Sequence, residues 1–436
     1  MAKLLLTAAL VLLGRGALAD DAETIREIVR AEQQRLQIPG LTVAVSRGGE
    51  LILNESFGAE VTAESVYQLG SIGKQWTAAG IIRLIERGEL QLHDRVVKFF
   101  PEAHSSWSEV RVSHLLHQTS GIREFFTIPE VAKALTDHTR APDELLQHIL
   151  RQPLGFAPGS RWSYSNSNYT LLAAIIEQLT EGPYEQFLAR EFFEPLGLQS
   201  MHHCENQPTR PEIATGYEMR KGKPVPAEIE NMNWARGDGG LCGTAADLVK
   251  WAQSFPYEKL IPQERLAPYG YGVSLVPLDE KVPKIAHNGA IGGFMSTLAW
   301  YPDQQVAIAV LTNRSRIWPQ VIEKRIVRAL LALPAPDFTA KPIPQVQLRR
   351  YTGTYDIGVT GLPLRLLARR GQLRLEAAPP IPSGDLRHIG DGRFVATDEP
   401  DTIQLQFTGP QGGPAERLQL LMAGMHWDGR RVPAAK

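Results

Sequence analysis

Apolar positions along this chain recur with two periods, and the places where one period gives way to the other mark the predicted elements. Residues 21–36 read as an amphipathic helix, and the strand-like runs 41–45 and 50–57 flank Gly48-Gly49 as a β-hairpin. From about 72 to 260 the pattern is mostly helical and is cut by loops. Strand patterns return at 271–276, 297–301 and 305–311, and the last two are joined across Pro302-Asp303-Gln304 as a second hairpin. A helix over 320–332 follows, with Ile322, Ile326, Val327, Leu330 and Leu331 on one stripe. Strands at both ends with helices between them predict an α+β fold. One antiparallel sheet is assembled from distant segments, flanked by helices and joined by an all-helical subdomain.

The character of the chain changes after residue 333. Leu333-Pro334-Ala335-Pro336 and Lys341-Pro342-Ile343-Pro344 resist helix and ladder alike, so 334–347 is expected to be a linker. Beyond it, short strand-like runs at 351–355, 362–368, 372–377, 393–396, 402–407 and 418–422 are spaced by Gly, Asp and Pro. They predict a small antiparallel β-barrel over 348–436. No internal repeat or low-complexity tract is present.

Composition narrows the possibilities. A chain of 436 residues exceeds what one core usually holds, so 20–333 and 348–436 are expected as separate domains. Hydrophobic residues make up 43% and charged residues 21%, which suits a globular protein and argues against extended disorder. Lys and Arg number 46 against 47 Asp and Glu, so no basic excess exists to neutralise phosphates, and a nucleic-acid partner is not expected. Lys3, the apolar run 4–13 and Ala17-Leu18-Ala19 have the three parts of a signal peptide over 1–19, predicting a periplasmic or secreted protein. No Cys follows to carry a lipid, and no later apolar run reaches the roughly 18 residues of a membrane span. Cys204 and Cys242 are too few for a disulfide framework; they could pair in an oxidising compartment, and buried free thiols are slightly favoured. His114 and His117 lack the Glu of a zinc-protease helix, so neither a metal nor another cofactor is expected.

Candidate chemistry begins at Gly70-Ser71-Ile72-Gly73-Lys74, at the head of a helical pattern. At 100° per residue Ser71, Lys74, Ala78, Ile81, Ile82 and Ile85 share a stripe, whereas Arg83, Glu86 and Arg87 lie on another. A hydroxyl and an ammonium on the core-facing stripe are costly to bury unless they serve a purpose. Gly88 is a suitable stop for the helix. A lone Ser-x-x-Lys is more often a helix cap, so its weight comes from what accompanies it.

Two segments accompany it. Tyr164-Ser165-Asn166 precedes an apolar helical run that begins at Leu171. A phenol beside the Lys74 ammonium is expected to have a lowered pKa, suited to accepting the Ser71 proton, and the Asn166 amide suits both a substrate carbonyl and the orientation of Lys74. Further on comes His287-Asn288-Gly289-Ala290. There Gly289 is expected to let a strand edge lie close against a substrate, and the Ala290 N–H to join that of Ser71 around an oxyanion.

Ser-x-x-Lys, Tyr-x-Asn and a basic-x-Gly strand, in this order, resemble the three motifs of class C β-lactamases, DD-peptidases and the related esterases and D-aminopeptidases. Two further segments, residues 115–122 and 239–248, are similar to pieces of that family, so the resemblance spans about 22–332. It implies a sheet of five or more antiparallel strands beside a helical subdomain, with the site between them. It also implies Ser71 as the acylated nucleophile, Lys74 and Tyr164 as its proton-transfer pair with Tyr164 as general base, and Asn166, His287, Gly289 and Ala290 as substrate contacts. Which of Lys74 and Tyr164 takes the first proton stays open. The Ser-Asp-Asn second motif of class A enzymes is absent here.

His287 stands where penicillin-directed members commonly carry Lys, and an imidazole is mostly neutral at pH 7. The expected substrate is therefore a small ester or amide, or a short peptide with D-residues. A β-lactamase or DD-carboxypeptidase proper, and a penicillin-binding sensor without turnover, are the alternatives. The opening Tyr351-Thr352-Gly353-Thr354-Tyr355 resembles the lipocalin-like barrel that follows the hydrolase domain in some relatives. Shaping the substrate entrance, binding a ligand or mediating assembly are open roles for it, and with no titratable cluster there a stabilising part without chemistry is favoured.

Overall fold

The structure is a computed structural model that describes residues 20–207, 212–254, 269–279, 281–357, 363–377, 381–409, 413–422 and 424–433. The signal peptide expected over 1–19 lies outside the described residues. After helix α1 (20–35), strands β1 (Gly40–Arg47) and β2 (Glu50–Gly58) form the expected hairpin around Gly48 and Gly49, which have φ of 58° and 87°. Helices α2 (Lys74–Glu86) and α3 (Asn166–Thr180) belong to the helical region. The chain then returns to the sheet through β3 (Tyr269–Gly270), β4 (Val273–Ser274), β5 (Ile285–Ile291), β6 (Phe294–Tyr301) and β7 (Val306–Thr312), and helix α4 (Gln320–Leu330) follows.

The seven strands lie in the order β2-β1-β7-β6-β5-β4-β3 and are antiparallel throughout, with Leu41 opposite Thr312 at the join between the two ends of the domain. Every residue of β7 is buried. Successive side chains of a strand face opposite sides. Val306, Ile308 and Val310 therefore meet α1 and α4, while Ala307, Ala309 and Leu311 join the core of the helical region. In α4, Ile322, Ile326, Val327 and Leu330 are buried against the sheet, as their stripe predicts.

Three local expectations are corrected. The strand expected over 271–276 is broken in two, because Tyr271 and Gly272 take φ of 54° and 75° and turn the chain. A Cβ on Gly272 would stand 2.7 Å from the backbone of Lys74, so this turn is pressed against the head of α2. The single stripe expected on α2 is also too narrow: Trp76, Thr77, Ala79 and Leu84 are buried as well, because the helix packs against α3 on one side and further elements on others. Cys204 and Cys242 are not free thiols but a disulfide. His202 is the register partner of Cys242, and Cys204 N–H donates to Gly240 O at 2.8 Å, which brings the two Cα atoms within 5.2 Å.

Residues 334–344 form neither helix nor strand, and a single helical turn, Gln345–Leu348, leads into the barrel. Eight antiparallel strands close it: β8 (Gly353–Asp356), β9 (Pro363–Arg369), β10 (Gln372–Glu376), β11 (Gly384–Gly390), β12 (Arg393–Ala396), β13 (Ile403–Thr408), β14 (Arg417–Met422) and β15 (Met425–Arg431). Six of these coincide with expected runs. Strands β11 and β15 were not expected, because a register shift between His388 and Gly390 breaks the alternation of β11 and the buried positions of β15 are Trp427 and Gly429, of which only one carries an apolar side chain. Side chains fill the barrel interior, with Tyr351, Phe394 and Phe407 in mutual ring contact. Among the described residues no helix is long and apolar enough to cross a membrane.

Candidate active site

Gly70, at φ 55°, lets the chain enter a tight helical turn, Gly70–Gly73, that runs straight into α2. The turn leaves Ser71 partly exposed while Lys74 is fully buried. The Lys74 ammonium donates to Ser71 Oγ at 2.9 Å, Asn166 Oδ1 at 2.7 Å and the backbone carbonyl of Asp238 at 2.5 Å. All three of its donors are thus used. One helical turn on, Thr77 Oγ1 donates to Gly237 O at 2.5 Å, so two successive carbonyls of the 235–240 loop are clamped to α2. Gly237 itself has φ 84° and lies against α3, where a Cβ would come within 2.4 Å of that of Ala173. Burial pulls the Lys74 pKa down to about 8, and the nearby carboxyls of Asp238 and Glu124 oppose the fall.

Tyr164 and Asn166 are set by a second clamp, built from the segment around Gln118. The Gln118 backbone carbonyl accepts from Ser163 N–H at 2.8 Å and its side-chain oxygen from Ser165 N–H at 2.9 Å, while Ser120 Oγ donates to Asn168 Oδ1 at 2.6 Å. Glu124 Oε2 accepts from Asn166 N–H at 2.7 Å at the first turn of α3. Tyr164 is thereby brought beside Ser71 and Lys74, with the Lys74 nitrogen 5.2 Å from the centre of its ring. The lowered phenol pKa expected from the sequence is corrected. Burial pushes Tyr164 well above the ordinary range, and the carboxyls of Asp238 and Glu124 push it further. Of the two, Lys74 is the group poised to change protonation near neutrality.

The third motif lies on β5. Gly289 does not lie against open space for a substrate: a Cβ there would fall 1.8 Å from the carbonyl oxygen of Leu69 and 2.3 Å from Ser296 Oγ, which donates to that same oxygen at 2.8 Å. Its lack of a side chain lets β5 meet the Ser71 turn. A Cβ on Gly70 would likewise stand 2.7 Å from Ala290 N. These contacts bring the main chain of exposed Ala290 against the turn that carries Ser71. His287 is the second correction. It is 4% exposed, and Nδ1 lies 2.6 Å from Asn288 O and Nε2 2.9 Å from the Tyr269 hydroxyl. Nδ1 therefore donates to the carbonyl and Nε2 accepts from the phenol. Burial, with the Lys74 charge beside it, lowers its pKa to about 3. His287 is a neutral support for Tyr269 and presents no charge to a substrate.

Sequence reasoning missed Asp238, Glu124 and Tyr269, and placed Gln118 within the family-like segment 115–122 without giving it a role. Asp238 and Glu124 are buried carboxyls on either side of Lys74, both raised by burial, Asp238 to about 8. Only the Gly237-Asp238-Gly239-Gly240 run carried a hint, as an acid held in a tight loop.

A model of the family described as Beta-lactamase matches residues 25–333. Protein flp of Staphylococcus aureus (strain MW2) is 26% identical over 332 residues, covering 70% of this chain and 66% of flp, so the chain spans just under two thirds of that relative's length. Penicillin-binding protein 4* of Bacillus subtilis (strain 168) is 28% identical over 393 residues, covering 78% of this chain and 85% of that protein. Among solved structures, the octameric penicillin-binding protein homologue from Pyrococcus abyssi is similar with a TM-score of 0.65 at 22% identity. It covers 93% of this chain and 99% of its own, so the likeness in fold extends past residue 333 into the barrel.

Proposed function

The chain belongs to the Beta-lactamase family, and from that footing we propose that it is an exported serine hydrolase that cleaves esters or amides through an acyl-enzyme on Ser71. The observation that carries the reading is the 2.9 Å hydrogen bond from a fully buried Lys74 to a partly exposed Ser71 hydroxyl. In the neutral form of Lys74, its lone pair takes the Ser71 proton as Oγ attacks the substrate carbonyl. The N–H groups of Ser71 and Ala290 receive the oxyanion. Tyr164, neutral because it is buried, passes the proton from Lys74 to the leaving group, and a water deacylates Ser71 by the reverse route.

The neutral His287 favours esters, amides and short peptides with D-residues over carboxylate-anchored β-lactams, because it gives the third motif no positive charge. Export to the periplasm or medium is supported by the pattern of residues 1–19 and by the Cys204–Cys242 disulfide, which belongs to an oxidising compartment. In this reading 20–333 is the catalytic domain and 348–436 the accessory barrel. Turnover of aryl esters, D-amino acid amides, D-Ala-D-Ala peptides and a cephalosporin by wild type and Ser71→Ala tests it. Ester or amide turnover that vanishes in Ser71→Ala, with an acyl mass adduct on Ser71, is expected. Labelling without release would mark a sensor, and cephalosporin turnover alone would mark a β-lactamase.

A further inference from the structure

Tyr164 belongs to an extended segment held by ring contacts as well as by the Gln118 clamp, and some of those rings come from the barrel. Trp162 meets Trp427 of β15 edge-to-face, with ring centres 4.8 Å apart. On another side Trp162 meets Tyr269 at 5.9 Å, and Tyr269 meets Tyr164 at 5.8 Å. Both Trp162 and Tyr164 pack against the apolar core of the barrel. The β14–β15 hairpin is anchored at this spot: Ser274 Oγ donates to Gly424 O at 2.6 Å, and Ser274 is the register partner of Ala286, next to His287. One continuous set of rings therefore runs from the barrel to the phenol beside Ser71.

We propose that the β14–β15 hairpin is a wall of the active site and that Trp427 is a positioning residue, holding Tyr164 in line with Ser71 through Trp162. Its catalytic consequence rests on the Ser71 reading above, whereas its structural part does not. Neither indole N–H, of Trp162 or of Trp427, has a hydrogen-bond partner among the described residues, so the contact is one of ring packing alone. Shape is then what Trp427 supplies, and a smaller aromatic ring preserves much of it. Loss of the ring leaves a void beside Trp162, into which the 162–165 segment relaxes. Proton transfer between Ser71 and Tyr164 depends on a placement finer than that relaxation.

The test uses the full-length protein and three variants: Trp427→Ala, Trp427→Phe, and Phe394→Leu as a control in the barrel core whose ring neighbours are Tyr351, His388 and Phe407. Two readouts are taken, kcat and KM for a small aryl ester, and amide hydrogen exchange across residues 162–166. Trp427→Ala is expected to lower kcat about ten-fold or more with KM little changed, and to speed exchange in 162–166. Trp427→Phe should stay near wild type in both, and Phe394→Leu should lower Tm without moving either.

The proposal is overturned if Trp427→Ala leaves both kcat and exchange at wild-type values, or if Phe394→Leu reproduces both effects, which would make the barrel a stabiliser only. If wild type hydrolyses no ester while exchange still responds to Trp427→Ala, the hydrolase reading falls and the positioning role stands. If esters are hydrolysed and neither readout responds, the reverse holds.

Discussion

Gly289 faces the carbonyl oxygen of Leu69 so closely that a Cβ on the glycine would stand 1.8 Å from it. Both partners are backbone, so neither has a flexible end that can give way. Gly289→Ala is expected to separate β5 from the Ser71 turn, costing roughly 3 kcal/mol or more of stability by overpacking and displacing the Ala290 N–H from the oxyanion position. Urea unfolding and kcat measured on the same preparation check this. A variant with wild-type midpoint and wild-type kcat would show that the two segments need not touch.

Lys74 with a pKa of about 8 makes a pH profile the direct probe of its role. If its neutral form is the base, log(kcat/KM) rises with pH and levels off above about 8. Tyr164→Phe should lower the plateau and leave the limb where it is, because Tyr164 titrates far above that range. Asp238→Asn should move the limb to lower pH, since the Asp238 carboxylate is one of the groups that raise Lys74. A limb unmoved by Asp238→Asn, in a folded variant, would count against Lys74 as its source.

His287 ties stability to pH in a predictable direction. Its folded pKa is depressed to about 3 from an ordinary 6.5, so the unfolded chain binds the extra proton first as pH falls. Its stabilising share is complete above pH 6.5 and drains away below it, by about 1.4 kcal/mol per pH unit. His287→Gln, whose amide oxygen still accepts from Tyr269, should show a shallower loss of Tm between pH 7 and pH 5 than wild type. Parallel curves would mean that the imidazole is not neutral in the fold.

The disulfide offers a fourth check. Cys204 and Cys242 enclose a separation of 38 residues, for which chain entropy suggests a stabilisation of about 3–4 kcal/mol. A Cys204→Ser, Cys242→Ser double variant should lose that amount, and reductant should lower the Tm of wild type but not of the variant. Equal Tm with and without reductant in wild type would show that the bond contributes nothing.

What could be read from the sequence followed from period and spacing. Ser71 and Lys74 share a helical face, the β1–β2 hairpin declares itself through Gly48-Gly49, and six of the barrel strands alternate plainly. What escaped was decided by contacts between distant residues. Tyr164 looked like a phenol beside a cation, but its titration is governed by depth, which one sequence does not display. His287 looked like a substrate contact because its partner, Tyr269, lies on another strand. Asp238 and Glu124 are single acids with no spacing to betray them, and the Cys pair meets only because the strand carrying Cys242 runs antiparallel to the one ending near Cys204.

The pairing of β1 with β7 has a consequence for the order of events during synthesis. Leu41 leaves the ribosome long before Thr312, its opposite in the ladder, so the innermost edge of the first hairpin waits unpaired while the helical region and much of the sheet are made. Contacts of such long sequence separation form slowly. A chain whose β1–β7 ladder closes this late keeps its first hairpin open for most of the domain's elongation, and its earliest strands are then a natural place for a holding chaperone to bind.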